Sequence, residues 1–290
     1  MRLPEADLQG KTAIVTGANS GIGYEIRTDT GSNMVEMELM DCENLESVRN
    51  FVKRWSKRES KRVDILINNA GAIPNRLVLT SDGFERTYQV NHLSHVLLTT
   101  LLLNGGHMAL DARIVSVSSM GFYLSDSLDL SSVDNSDIIT KYHAISGSSL
   151  DMEEMGRLYE RSKASQAVWV MVLQHYLSRS EHWSGITVHS CHPGIVRSPI
   201  WTQSTGAGSV ADIRGKVFIA IMKAAGITNE QGAAVPVWLA TASEPASAEL
   251  RGMFWNRMRW MWVWPWSLET KRQNDLWDKW CMDAKVSLLV

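Results

Sequence analysis

The sequence predicts an α/β fold, in which helices pack on a doubly wound, mainly parallel sheet. Three observations support this class. Short apolar runs rich in β-branched residues alternate with longer amphipathic segments. A glycine-rich turn joins the first run to the segment that follows it. The chain has 290 residues, of which 44% are hydrophobic and 21% charged, as is typical of a globular protein. We interpret residues 1–290 as a single domain.

The individual elements follow from hydrophobic periodicity and from glycine stops. Short apolar runs that end in glycine or serine indicate buried strands, whereas apolar residues three and four positions apart indicate helices. The segments 125–154 and 250–290 do not follow the alternation. The predicted strands are 12–17, 34–40, 63–71, 112–119 and 185–194, and the predicted helices are 44–58, 83–103 and 155–177.

Charge and cysteine content exclude several classes of protein. The formal net charge of -2 provides no basic field for nucleic acid or an anionic membrane, so neither is an expected partner. The spacing of Cys42, Cys191 and Cys281 argues against a disulfide framework and against a metal site, and favours a reducing compartment. Residues 1–11 lack the apolar core of a secretory signal, and the longest apolar runs are too short to span a bilayer. We therefore expect a cytoplasmic protein without a transmembrane segment.

The first predicted strand ends in the turn TGANSGIG, residues 16–23. Glycines in such a turn permit positive φ angles and let a ligand approach the backbone closely. The free N–H groups of the following helix then form a binding site for a pyrophosphate. Taken alone, the same motif is also compatible with a turn that binds nothing.

A tyrosine and a lysine lie four residues apart on the predicted helix 155–177. Tyr159 and Lys163 therefore share one face of that helix. An ammonium group beside a phenol lowers the phenol pKa from about 10, so that the tyrosine exchanges a proton near neutral pH. The pair alone is more typical of a surface contact. It gains meaning from Asn91 in an earlier helix and from Ser119 at the end of a strand, where side chains face a ligand crevice.

Together these motifs resemble those of the short-chain dehydrogenase/reductase family of single-domain, Rossmann-like oxidoreductases. The matching elements are TGANSGIG, NNAG, Asn91, the VSS that ends at Ser119, YERSK and PGIVRS. The segment LWDKWC also resembles the retinol-dehydrogenase-like branch, which includes pathway enzymes of filamentous fungi. The resemblance implies a cofactor half over residues 10–120, a catalytic and substrate half over residues 120–290, and a homo-oligomer.

The resemblance also implies a role for each residue. Tyr159 would be the acid for carbonyl reduction, Lys163 would lower its pKa, Ser119 would bind the substrate oxygen, and Asn91 would hold a water. The cofactor would be NADP or NAD, with NADP favoured by the habit of the family. The implied cofactor contacts are Gly17, Ser20, Ile22 and Gly23 at the pyrophosphate, Asp41 at the adenine, Asn68 and Asn69 on the adenosine side, Tyr159 and Lys163 at the ribose, and Val196 and Ser198 at the nicotinamide.

The chain is shorter than the family pattern between Gly23 and Asp41. About one helix–strand–helix unit is missing, roughly 30 residues. Two outcomes are open. In the first, the segment 34–40 lies beside the first strand, and Asp41 falls near the roughly 20-residue spacing at which an acidic residue binds ribose and favours NAD. In the second, the sheet has a gap beside its first strand and the adenosine pocket is incomplete.

The C-terminal segment is rich in tryptophan and has three interpretations. It would cover a cleft for a large apolar substrate, contact a membrane surface, or pack in the core. The tryptophans of this segment are Trp255, Trp260, Trp262, Trp264 and Trp266.

The sequence predicts an NAD(P)-dependent oxidoreductase that interconverts a ketone and a secondary alcohol on a medium-sized apolar or polyketide-like metabolite, in a biosynthetic pathway. The alternative is a non-catalytic remnant that binds no cofactor.

Overall fold

A computed structural model of the chain describes residues 6–28, 34–73, 75–133, 149–201, 216–217, 220–221 and 224–289. Within them, six strands form one sheet in the order β1-β2-β3-β4-β5-β6, and only the last pair is antiparallel. The predicted α/β, Rossmann-like class is confirmed. The strands are β1 (Ala13–Val15), β2 (Val63–Asn68), β3 (Met108–Val117), β4 (Thr187–His192), β5 (Phe254–Asn256) and β6 (Arg259–Met261). The helices are α1 (Gly21–Thr28), α2 (Leu45–Trp55), α3 (Arg86–Tyr88), α4 (Ser94–Asn104), α5 (Leu130–Val133), α6 (Met152–Arg179), α7 (Asn229–Thr241) and α8 (Thr270–Ala284).

Side chains alternate between the two faces of a strand, and the central strands are buried on both faces. Leu66 of β2 and Ile114 of β3 pack into a core that also contains apolar residues of α2, α4, α6 and α8. Their neighbours Ile67 and Val115 pack into a second core, formed with α1 and α7. The sheet is therefore covered on both sides, as in a doubly wound fold.

Parallel pairing brings the carboxyl ends of β1 to β4 to the same edge of the sheet. The glycine turn, the NNAG segment, Ser119 and the PGIVRS segment follow these four strands directly. Ligands of open α/β sheets bind at this edge. The fold thus gathers the predicted motifs at one crevice.

The predicted strand over residues 34–40 is wrong: these residues form no strand in the structure. They run as extended chain over α2, where Arg54 donates to the backbone oxygen of Leu39 and pairs with Glu38. The side chains of Met34 and Leu39 are 90% and 87% exposed. In the described part of the chain, β1 pairs with β2 alone and forms the edge of the sheet. The second of the two expected outcomes, an incomplete sheet beside β1, is therefore the one observed.

The long helix predicted over residues 83–103 contains an interruption. Helix α3 runs into a π-helical turn (Gln89–Leu93) before α4 begins, and the N–H of Ser94 donates to the oxygen of Gln89, five residues back. Such turns are often found at functional sites, because they shift the carbonyl groups out of the regular pattern. Asn91 lies at the centre of this turn.

The helix that carries the tyrosine and lysine begins at a capping box. The carboxylate of Asp151 accepts from the N–H groups of Glu153 and Glu154, and the Glu154 side chain accepts from the N–H of Asp151. These bonds satisfy N–H groups that the first turn leaves unpaired. No helix in the described part of the chain is both long and apolar enough to cross a membrane.

Candidate active site

Ser119 and Tyr159 meet in front of the carboxyl end of β3. Ser119 caps a short 3₁₀ turn (Met120–Tyr123), and its oxygen accepts from the N–H of Gly121 at 3.1 Å. Burial raises the pKa of Tyr159 to about 12, and a hydrogen bond from Ser119 opposes this rise. The tyrosine is therefore protonated at neutral pH, which is the form required of a proton donor.

Lys163 is one turn further along α6 and is almost fully buried. Its ammonium donates to the oxygen of Val117 and to the side-chain oxygen of Gln166, each at 2.9 Å. Burial lowers its pKa to about 7. The Lys163 nitrogen lies 5.6 Å from the centre of the Tyr159 ring, close enough for a cation–π contact. The expected lowering of the Tyr159 pKa by this lysine is not observed: burial raises the pKa, and the contact that opposes the rise is the hydrogen bond from Ser119.

The side chain of Asn91 joins two segments of the site. Its oxygen accepts from the N–H of Ala72 at 2.7 Å, and its nitrogen donates to the oxygen of Ala72 and to the hydroxyl of Ser162. Ser162 in turn donates to the backbone oxygen of Tyr159 at 2.7 Å. Asn91 thus fastens the residues after β2 to the helix of the tyrosine. These contacts are with protein groups, so the water that the resemblance implied stays a prediction.

The glycine turn has the geometry expected of an anion-binding turn. Gly17 and Gly21 have φ angles of 66° and 58°, in the left-handed region that favours glycine. A Cβ atom on Gly23 would lie 2.5 Å from the oxygen of Gly17, so a larger residue would force the turn apart. Ser20 precedes α1 directly, and Ile22 lies in its first turn. Four residues predicted to meet the pyrophosphate therefore surround one helix N-terminus.

The loop after β4 lies against this turn. A Cβ atom on Gly21 would meet the Ser198 side chain at 3.5 Å. Val196 is buried, and both Val196 and Ile22 would meet a Cβ atom built on Gly232 of α7. The predicted nicotinamide and pyrophosphate residues are thus neighbours, and a side chain added at Gly21 would touch Ser198. This arrangement fits the pyrophosphate and nicotinamide part of a dinucleotide.

The residues predicted for the adenosine side are divided. The Asn69 amide lies at the glycine turn, where it donates to the backbone oxygen of Thr16 and would meet a Cβ atom built on Gly23. The Asn68 amide is fully buried and donates to Thr99 of α4. The Asp41 carboxylate is exposed and accepts from the N–H of Glu43. Only the first of the two outcomes expected from the sequence placed Asp41 after a strand beside β1, and that outcome is not observed because residues 34–40 form no strand.

Two polar residues of the site were missed by the sequence interpretation. His95 bonds to the Thr16 hydroxyl and to the backbone oxygen of Asn91, and Gln166 accepts from Lys163 while donating to Ser116 at 3.3 Å. Both side chains are about 1% exposed. Only their spacing could have indicated them, since His95 lies four residues after Asn91 and Gln166 lies three after Lys163. Polar residues at such spacings are common in helices. Among the described residues, no group of three His, Cys, Asp or Glu side chains could hold a metal ion.

The tryptophan-rich segment divides into a buried and a partly exposed part. Trp255 is fully buried and donates to His189 at 3.1 Å, so the core interpretation holds for this residue. Trp262 and Trp264 contact Tyr123 in the turn that follows Ser119, and the Tyr123 hydroxyl donates to the oxygen of Trp262 at 2.6 Å. The exposed Trp260 is 58% accessible. Part of the segment therefore lies next to the catalytic edge.

Comparison with known proteins agrees with this geometry. The family model described as short chain dehydrogenase matches residues 27–124. Human retinol dehydrogenase 13 is 29% identical over 287 residues, which cover 88% of this chain and 78% of the relative. Mouse retinol dehydrogenase 11 is 32% identical over 226 residues, which cover 68% of this chain and 65% of the relative. The aligned part thus spans slightly less than two thirds of the mouse protein.

Solved structures show the same fold. An uncharacterised protein from Mycobacterium paratuberculosis superimposes with a TM-score of 0.68 at 21% identity, covering 99% of this chain and 98% of the other. A short chain dehydrogenase from Burkholderia cenocepacia, crystallised with NADP, has a TM-score of 0.57 at 22% identity, covering 86% and 96%. The chain belongs to the short-chain dehydrogenase/reductase family of oxidoreductases. Within that family it resembles the retinol dehydrogenase branch.

Proposed function

We propose that this chain is an NAD(P)-dependent oxidoreductase that interconverts a ketone and a secondary alcohol on a medium-sized apolar metabolite. The observation that carries the proposal is the placement of Ser119, Tyr159 and Lys163 at the carboxyl edge of the sheet, beside a glycine turn that fits a pyrophosphate. NADP-bound and NADH-bound structural neighbours support the cofactor class.

The residues would divide the work between binding and proton transfer. Gly17, Ser20, Ile22 and Gly23 would hold the pyrophosphate, and Val196 and Ser198 the nicotinamide side. The bound nicotinamide would supply or accept a hydride. Tyr159 would then give its hydroxyl proton to the carbonyl oxygen in reduction, or take the proton of the alcohol in oxidation. Ser119 would donate to the same oxygen as negative charge develops on it.

The electrostatics of the site keep Tyr159 in its proton-donating form near neutral pH. Because burial raises the pKa of Tyr159 to about 12, the hydroxyl carries the proton that reduction consumes. Lys163, with a pKa lowered to about 7 by burial, is partly protonated at the same pH. Its position one turn from Tyr159 would let its positive charge stabilise the phenolate left after the proton has gone.

The substrate class follows from the wall of the crevice. Aromatic side chains of the C-terminal segment pack on the turn after Ser119, with the rings of Tyr123 and Trp262 4.7 Å apart. Such a wall favours a large apolar or aromatic ketone. A polyketide-like substrate, and a place in a biosynthetic pathway, extend this proposal by resemblance alone.

The rival proposal is a remnant that binds no cofactor. It is favoured by the edge position of β1 and by the side chains of Asp41 and Asn68, which bond to Glu43 and Thr99 and not to the glycine turn. Titration with NADPH and NADH, followed by quenching of tryptophan fluorescence, separates the two. Saturable binding of either nucleotide supports the enzyme, and no binding by a cooperatively folded sample supports the remnant.

Catalysis is tested by a matched pair of substitutions in one helix. Tyr159→Phe removes the proton donor and should lower turnover of an aromatic ketone by about 10²-fold or more. Tyr176→Phe makes the same change further along α6, where the ring packs on Trp277, and should leave turnover unchanged. Equal turnover in the two variants would contradict the role of Tyr159.

A further inference from the structure

His95 lies between the glycine turn and the π-helical turn, and its ring bonds to both. One ring nitrogen, Nε2, is 2.9 Å from the Thr16 hydroxyl. The other, Nδ1, is 3.0 Å from the backbone oxygen of Asn91. The side chain is 1% exposed, so water does not compete for these bonds.

The hydrogen bonds of Thr16 fix the position of the proton on this ring. The Thr16 hydroxyl oxygen accepts from the N–H groups of Asn69 and Ala70, both at 2.9 Å. With both lone pairs occupied, the hydroxyl donates its one proton to Nε2 of His95. Nε2 is therefore the acceptor, and the proton of the neutral ring is on Nδ1, which donates to Asn91. Burial lowers the pKa of His95 to about 4, so the neutral ring prevails at physiological pH.

We propose that His95 is a positioning residue that holds the cofactor-binding turn and Asn91 in a fixed relation, as the neutral Nδ1–H tautomer. At one end, Thr16 fastens the glycine turn to residues 69–70. At the other, Asn91 fastens Ala72 and Ser162, and through Ser162 the backbone of Tyr159. The inference rests on the proposed function only in assigning cofactor binding to the glycine turn and catalysis to the segment that Asn91 holds.

The π-helical turn supplies the acceptor for Nδ1 of His95. The Asn91 oxygen lies inside the turn, where the regular pattern of backbone bonds is shifted. The side chain of His95, four residues later, supplies a donor to that oxygen. The ring therefore also contributes a hydrogen bond to the turn itself.

His92 of the same turn provides a matched control. It is fully buried like His95, and packs edge-on against Trp280 at 4.7 Å. Neither of its ring nitrogens has a hydrogen-bond partner among the described residues. His92→Phe thus removes a buried imidazole from the same segment without removing such a bond, whereas His95→Phe removes two.

Two partial replacements separate the two bonds of His95. In His95→Gln, the longer amide can still accept from Thr16 but loses the donor to Asn91. In His95→Asn, the shorter amide can still donate to Asn91 but cannot reach Thr16. We expect His95→Asn mainly to weaken NADPH binding and His95→Gln mainly to lower kcat, while His95→Phe changes both by roughly tenfold. His92→Phe should change neither by more than about twofold.

The tautomer is tested without any cofactor. The ¹⁵N chemical shifts of the His95 ring should show a protonated Nδ1 and an unprotonated Nε2. A protonated Nε2, or the same effect on NADPH affinity in His95→Phe and His92→Phe, would overturn the inference. If the wild-type protein binds neither NADPH nor NADH, the proposed function fails. The inference is then decided by the ¹⁵N shifts and by whether His95→Phe lowers Tm more than His92→Phe.

Discussion

Arg161 donates to the carboxylate of Glu85 at 2.9 Å, and this ion pair joins the start of α3 to the helix of Tyr159. The side chains are 8% and 0% exposed. The same carboxylate caps α3, accepting from the N–H groups of Thr87 and Tyr88. A single buried charge therefore sets both the beginning of one helix and its distance from the catalytic helix.

Breaking this pair should be strongly destabilising. Arg161→Met removes a cation from the buried Glu85 carboxylate, and should lower the free energy of unfolding by about 3–5 kcal/mol. The matched control is Lys271→Met, which breaks an exposed pair with Asp275 and should cost less than about 1 kcal/mol. Urea denaturation measures both. Equal losses in the two variants would show that burial of the pair is energetically unimportant.

Removal of the Ser119 hydroxyl should change the pH dependence of alcohol oxidation. The hydrogen bond from Ser119 opposes the rise in the Tyr159 pKa that burial causes. Ser119→Ala therefore raises the pKa further, and the rising limb of kcat/KM for oxidation, which reports deprotonation of Tyr159, should move to higher pH. Ser119→Thr keeps the donor and should leave the limb near its original position. A limb that is the same in Ser119→Ala and wild type would refute the contact.

Lys163 should make the protein more stable as the pH rises. Its pKa is lowered from an ordinary 10.5 to about 7 in the folded protein, so the unfolded chain binds more protons between these values. Relative to Lys163→Met, wild type should gain up to about 1.4 kcal/mol per pH unit over that interval. Chemical denaturation at several pH values gives the slope. A slope of zero would mean that the folded lysine keeps its ordinary pKa.

A charged side chain in the segment 34–40 should have little effect on stability. Leu39 is 87% exposed, and its side chain contributes little to the core, so Leu39→Lys should change the free energy of unfolding by less than about 0.5 kcal/mol. Leu66→Lys makes the same change in a fully buried residue of β2 and should prevent folding. Thermal melting compares the two. Severe destabilisation by Leu39→Lys would indicate that the segment is buried in solution.

The sequence predicted well the helices and strands whose hydrophobic pattern is strong. The helix around Phe51 and the buried strand around Leu66 formed within a few residues of their predicted bounds. The run MVEMELM has an equally good strand pattern but does not pair, because a strand needs a neighbour and the pattern does not supply one. Local pattern is thus necessary for a strand but not sufficient.

The site was predictable as a set of motifs and not as a network of contacts. The sequence identified Tyr159 and Lys163 because they lie in a recognisable helix, and Ser119 and the glycine turn because they follow recognisable strands. His95 could not, since one of its bonds is an ordinary contact within a helical segment and the other joins residues 79 positions apart in the chain. Contacts that span many residues, such as Thr16 to His95, leave no local signal in the sequence.

The edge position of β1 has a consequence for local stability. The glycine turn extends from a strand of three residues that is bonded to one neighbour in the described part of the chain. Opening of this strand breaks one ladder, whereas opening of β2 breaks two. Amide hydrogens of Val15 and Thr16 should therefore exchange with deuterium faster than that of Leu66. A nucleotide bound at the turn would slow this exchange, because binding would stabilise the closed form of β1.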